Sequence, residues 1–181
     1  MDALGMIEVN SIAAGIEIAD IMMKRAEVSL LQAQPICCGK YMVIIRGGVA
    51  EVENSVEAGL EMAGDFLVDK FVIPNVHPQV FTAIASASAI EETNAVGVIE
   101  TFSLASCILA ADAAVKAADV DLIEVRLGRG MGGKSFVSMV GDVSAVNHAV
   151  QAGSGLEECQ GMIAKTIIIP SPHIDVLKNL Y

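Results

Sequence analysis

An internal duplication constrains this chain more than any other feature. Residues 3–31 (ALGMIEVNSIAAGIEIADIMMKRAEVSLL) align with residues 95–123 (AVGVIETFSLASCILAADAAVKAADVDLI), with thirteen of 29 positions identical. Gly5/Gly97, Glu8/Glu100, Ser11/Ser103, Asp20/Asp112 and Lys24/Lys116 are among the shared positions. After a two-residue insertion in the second copy, residues 39–59 (GKYMVIIRGGVAEVENSVEAG) match residues 133–153 (GKSFVSMVGDVSAVNHAVQAG) at nine of 21 positions. The closing segments FVIPNVHPQVF (71–81) and IIIPSPHIDVL (167–177) keep Pro74/Pro170 and His77/His173. Three ordered blocks of this kind mean two copies of one structural unit. The units divide as 1–90 and 91–181, and the polar stretch ASAIEETN at 87–94 reads as the linker.

Each unit reads β-α-β-β-α-β with a short terminal helix, an α+β arrangement built on a small, mainly antiparallel sheet with helices on one face. Residues 3–9 read as a strand, and Ser11 and Ser103 sit where helix N-caps belong. In the first helix Ile12, Ile16, Ala19, Met23 and Ala26 recur at helical spacing and predict its packing stripe. Val28–Gln34 and Lys40–Arg46 read as the next strands. A second helix runs through Val49, Val52, Val56, Leu60 and Ala63, with Val143, Val146 and Val150 as its counterpart. Leu67–Ile73 and Lys165–Ile169 supply the last strands, each halted by Pro.

Composition narrows the function. The chain is 54% apolar yet only 4% aromatic, which fills two small cores but leaves few rings to anchor a deep pocket. A net charge of −11 argues against a nucleic-acid-binding face. No apolar run approaches a membrane-spanning length. The start Met1-Asp2-Ala3 lacks the basic segment of a signal peptide, so a cytoplasmic protein is expected. With three His and no H-E-x-x-H or G-x-S-x-G, the sequence carries no clustered acid–base or metal motif, and an enzyme is not expected. Residues 128–135 (GRGMGGKS) do match the phosphate-loop pattern G-x-x-x-x-G-K-[ST]. That loop needs a helix after it, whereas the repeat aligns Ser135–Val140 with a strand. Asp20/Lys24 and Asp112/Lys116 read as i,i+4 helix ion pairs, and His77 and His173 as capping or packing residues.

Four Cys stand at 37, 38, 107 and 159. Cys107 and Cys159 read as packing. Cys37-Cys38-Gly39 fills the loop between the second and third strands of unit one, and free thiols there are also compatible with plain packing. The matching loop of unit two, Gly128–Gly132, has no Cys, so the thiols belong to one loop type only.

Both units resemble the bacterial microcompartment shell domain. The likeness lies in ALGMIEV and AVGVIET, in the Ala-rich first helices, in the two GK-led blocks, and in VIPNVHP and IIPSPH. It covers essentially the whole chain and implies a tandem shell protein. Such proteins assemble as homotrimers, each a pseudohexameric tile, and the tiles meet other shell proteins edge to edge. Among them this sequence is similar to the propanediol-utilisation subclass that carries an iron–sulfur cluster. The resemblance implies one [4Fe-4S] cluster per trimer at the three-fold axis, with Cys37 of each chain as ligand, and electron transfer to a lumenal or cytoplasmic redox partner. Where the family commonly has Pro after the ligand, this chain has Cys38, which leaves the second thiol's role open. Gly39 would let the backbone approach the cluster, and a fourth ligand would come from outside. Two other functions compete: a shell tile with a gated central pore for small metabolites, and a soluble ligand-binding or regulatory α+β domain pair.

Overall fold

A computed structural model describes residues 2–86 and 94–180. The linker assigned to 87–94 therefore lies outside the described residues except for Asn94. The first repeat contains β1 (Ala3–Val9), α1 (Ile12–Arg25), β2 (Ser29–Ile36), β3 (Lys40–Gly47), α2 (Val49–Ala63), β4 (Leu67–Ile73) and α3 (Pro78–Ile84). The second contains β5 (Ala95–Thr101), α4 (Leu104–Ala117), β6 (Val120–Leu127), β7 (Ser135–Gly141), α5 (Val143–Ser154), β8 (Ile163–Pro170) and α6 (Ile174–Leu177). Short 3-10 turns at Gly64–Phe66 and Glu157–Cys159 precede the last strand of each repeat. Each repeat forms one antiparallel four-stranded sheet, ordered β2-β3-β1-β4 and β6-β7-β5-β8. This is the α+β pattern expected from the sequence.

The sequence explains these elements locally. Ser11 and Ser103 cap α1 and α4, their hydroxyls accepting the N–H of Ala14 and Ser106 at 3.3 Å. In the first unit the core lies between the sheet and its two helices, with Ala3, Ile7, Val9, Val43 and Ile45 under Ile18, Met22, Val52 and Val56. Glycines set how closely the layers approach. A Cβ on Gly5 would stand 2.7 Å from both Val52 and Val56, and one on Gly97 2.7 Å from Val146. Both positions must stay bare for α2 and α5 to seat on the central strands. The opposite side of the sheet is buried as well, since Leu4, Met6, Met42 and Ile44 have no exposed surface.

Helix α1 departs from the expected stripe. It buries Gly15, Ile18, Ala19 and Met22, while Ile12 and Ile16 are 41% and 56% exposed. The cause lies in β3. A Cβ on Gly15 would fall 2.4 Å from the Cβ of Tyr41, so the missing side chain is where the tyrosine ring packs. That contact rotates the helix away from a Ile12–Ile16 core face.

Two compact units result, Met1–Val76 and His77–Tyr181. Helix α3, which closes the first repeat in sequence, is held within the second unit. The His77 N–H donates to Asp112 Oδ1 at 2.8 Å, Gln79 Nε2 donates to Asp121 Oδ1 at 3.0 Å, and Gln79 Oε1 accepts the Leu122 N–H at 2.8 Å.

Candidate functional site at the paired strand loops

The loop that carries the adjacent thiols is a tight hairpin. Ile36 pairs with Lys40 across β2 and β3, leaving only Cys37, Cys38 and Gly39 to reverse the chain. Gly39 has φ +74°, and a Cβ there would meet nothing within 4 Å, so backbone conformation alone selects glycine. The Cys37–Cys38 peptide is cis. Cys37 is half-buried and Cys38 exposed. At the loop's root Lys40 Nζ donates to Glu8 Oε1 at 2.8 Å, and the glutamate side chain is only 3% exposed.

Unit two repeats the ion pair but not the loop. Lys134 Nζ lies 3.0 Å from Glu100 Oε1 and 5.6 Å from the centroid of the exposed Phe102 ring. Between β6 and β7 the chain runs through residues 128–134, with Gly128, Gly130, Gly132 and Gly133 all at positive φ. β7 follows, not a helix, as the repeat alignment required. Ser135 is fully buried and its hydroxyl accepts the Gly128 N–H at 3.3 Å. With its lysine paired to a glutamate and its serine enclosed, GRGMGGKS lacks both the helix and the free side chains of a phosphate loop.

Cys107 and Cys159 are buried in unit two. Burial pushes the Cys107 thiol well above the ordinary thiol range, outweighing a hydrogen bond with Thr101. Burial also raises Cys159, outweighing a hydrogen bond with the Ser106 side chain, and its thiol donates to the Ser106 carbonyl at 3.5 Å. These are neutral, enclosed thiols, unsuited to ligation. His77 and His173 act as helix caps. Nδ1 of each accepts a backbone N–H two residues on, from Gln79 at 3.4 Å and Asp175 at 3.2 Å. Sequence reading missed the Glu8–Lys40 and Glu100–Lys134 pairs, although the identity of all four residues across the repeat was the available signal.

Among the described residues of one chain, no group of three or more His, Cys, Asp or Glu converges to hold a metal ion. The donor chemistry of the first loop nevertheless suits an iron–sulfur cluster, because thiolate sulfur is its usual ligand. Adjacent side chains on so short a turn diverge, so one chain offers one such donor to any single point. Only several copies could complete a set.

The duplicated sheet-and-helix unit, closed by matched loops with paired charges at their roots, defines a class of tandem α+β protein built from one repeated module. The family model described as the BMC domain matches residues 3–76 and again 95–172, and the chain belongs to that family as a tandem bacterial microcompartment shell protein. It is similar to the bacterial microcompartment shell protein PduT of Citrobacter freundii, at 43% identity over 98% of this chain and 97% of the relative. A microcompartment protein from Desulfitobacterium hafniense, solved by crystallography, superposes with a TM-score of 0.93 at 54% identity over 99% of both chains. The carboxysome assembly protein CcmO of Synechococcus elongatus is 30% identical over 98% of this chain and 68% of its own length. Shell proteins of this family are structural components and not enzymes. No helix among the described residues is long and apolar enough to cross a membrane.

Proposed function

We propose that this protein is a shell tile in which three copies close a ring and share one [4Fe-4S] cluster, held by Cys37 of each. The repeats 1–90 and 91–181 then alternate around the ring, and the unit-one loops meet at its axis. The observation that carries the reading is the asymmetry of the paired loops. A half-buried thiol heads a short hairpin in unit one, while a glycine loop without thiols occupies the same place in unit two. Symmetry supplies the multiplicity that a C-x2-C-x2-C run supplies within a single chain. Gly39, without a side chain, leaves the loop's backbone open to close approach. The cluster would supply one-electron transfer across the shell to a redox partner; the protein itself turns over no organic substrate. Cys38, more exposed than its neighbour, acts on the surroundings of the cluster and not as its ligand.

Anaerobic iron–sulfur reconstitution tests this. A trimer of about 57 kDa, three chains of 18.9 kDa, should carry one cluster and absorb near 400 nm. Cys37→Ala should abolish iron and colour with the trimer intact, and Cys38→Ala should keep most of both. Iron equivalent to one cluster per chain would contradict the shared-ligand arrangement. Loss on Cys38→Ala with retention on Cys37→Ala would move the ligand by one residue. No iron in the wild type would leave the gated-pore function in place of electron transfer.

A further inference from the structure

The four thiols of the chain fall into two classes. Cys107 and Cys159 are enclosed in unit two, whereas Cys37 is half-buried and Cys38 exposed, on consecutive positions of one turn. The cluster proposed above engages only Cys37, so a ring of three chains brings two thiols per chain to its centre and uses one of each two. Consecutive side chains diverge on a turn of three residues, which places the two thiols of one chain poorly to meet each other. Between neighbouring unit-one loops of that ring stands a unit-two loop. Of its residues 128–133, only Arg129 and Met131 carry side chains, and its four glycines lie at positive φ. Little side chain therefore separates one thiol-bearing turn from the next.

We propose that, when the cluster is absent, Cys37 of each chain forms a disulfide with Cys38 of the next, closing a covalent ring of three bonds. Symmetry selects this pairing. Around a three-fold axis a link must run head-to-tail, from one residue to a different residue of the next copy, and three identical links then close. A Cys38–Cys38 bond needs a two-fold axis, and in a trimer it leaves the third thiol odd. Three thiols that can share one cluster already stand about a cluster's width apart, and a disulfide draws the Cα atoms to about 4.4–6.8 Å. Gly39, at φ +74° and with nothing within 4 Å of where a Cβ would stand, gives the turn room for that shift. The oxidant is hydrogen peroxide. One thiolate attacks a peroxide oxygen, the O–O bond breaks, and a sulfenic acid and water form. The second thiolate attacks the sulfenic sulfur and expels its oxygen as another water. Each S–S bond thus takes two electrons and two protons from a pair of thiols and turns one peroxide into two waters. Cys37 cannot be a ligand and a disulfide at once, so cluster and covalent ring exclude each other, and reduction must precede reloading.

This inference rests on the ring proposed above and adds a second state of its centre. The cluster-free wild-type trimer is treated with stoichiometric hydrogen peroxide, quenched with N-ethylmaleimide and run on a non-reducing denaturing gel. The expected product is a species of about 57 kDa, three chains of 18.9 kDa, that returns to single chains on reduction. Mass spectrometry of its tryptic digest should show three linked copies of the peptide 26–40, lighter by two hydrogens per bond than the three apart. Cys37→Ser and Cys38→Ser should each stop short of the covalent trimer. Co-expressed with separate tags, these two variants should give cross-linked pairs carrying both tags in preference to like pairs. The cluster-loaded trimer should resist peroxide until its absorption near 400 nm is lost. Wild-type chains that stay single on the gel, with Cys37 bonded to Cys38 of the same chain or both still open to maleimide, overturn the covalent ring and leave the trimer standing. Like pairs as abundant as mixed ones overturn the pairing. A covalent trimer in a protein that takes up no iron upholds this inference and removes the cluster. A protein that is monomeric before oxidation overturns the ring and the bonds together.

Discussion

Helices α1 and α4 are one element of the repeat written twice, and they solve the same packing problem in different ways. Where α1 has Gly15, the aromatic ring of Tyr41 from β3 occupies the space. Where α4 has Cys107, the strand position equivalent to Tyr41 is Ser135, and both are fully buried. A large strand residue beside no helix side chain has been exchanged for a small strand residue beside a thiol. Identical neighbours on both sides, Ala13/Ala105, Ile16/Ile108 and Ala19/Ala111, do not reveal this. The lesson is that divergence between repeats proceeds in compensating pairs distant in sequence, and that Cys107 is the filling for a hole and not a remnant of chemistry.

The largest test of that contrast is at Gly15. Gly15→Ala should cost about 3 kcal/mol through overpacking against Tyr41, lowering the melting temperature by roughly 6–12 °C, while Cys107→Ala costs about 1 kcal/mol. The pair Gly15→Cys with Tyr41→Ser, which imports the unit-two arrangement, should be more stable than Gly15→Cys alone in the same thermal melts. Additive losses would mean that the positions do not compensate. Next come the root ion pairs. Glu8→Gln should destabilise by about 2 kcal/mol, because the partner of Lys40 is enclosed, and Glu100→Gln by less than about 1 kcal/mol, because that pair faces solvent. Equal urea midpoints for the two variants would erase the distinction between the loops.

A further effect, visible only above neutral pH, concerns the thiols. The folded values of Cys107 and Cys159 are raised by burial, so their contribution to stability is complete below the unfolded thiol value. It is lost as pH rises past that value, about 8.5, at a slope of about 1.4 kcal/mol per pH unit and thiol. Urea titrations at pH 8 and pH 10 should show this loss, and Cys107→Ala should reduce it by one thiol's share. In the native state a maleimide should label Cys38 readily and leave Cys107 and Cys159 untouched until unfolding.

Much of the architecture was readable because its determinants are local or repeat-encoded. The Ser11 and Ser103 caps, the bare Gly5 and Gly97, and the closing prolines each announce their element. The rotation of α1 was not readable, because it depends on Tyr41 meeting Gly15 across the unit, and helical spacing alone favours the outward-facing Ile12 and Ile16. The placement of α3 in the second unit also escaped, since it turns on Gln79 reaching an edge strand. At the loops, the chain's asymmetry drew attention to Cys37 and Cys38, but completing a donor set involves other copies, which no single sequence displays.

The Gly15–Tyr41 and Cys107–Ser135 exchange also bears on inheritance. Two halves of one gene that began alike are open to recombination with each other, and crossovers would tend to make them alike again. A crossover that joins the Cys107 helix to the Tyr41 strand produces a collision, and the reciprocal product, the Gly15 helix on the Ser135 strand, leaves a void. Either hybrid half would fold poorly and be removed by selection. Packing at the start of β3 and β7 thus acts as a barrier to gene conversion, preserving the two distinct loops that end immediately before these strands.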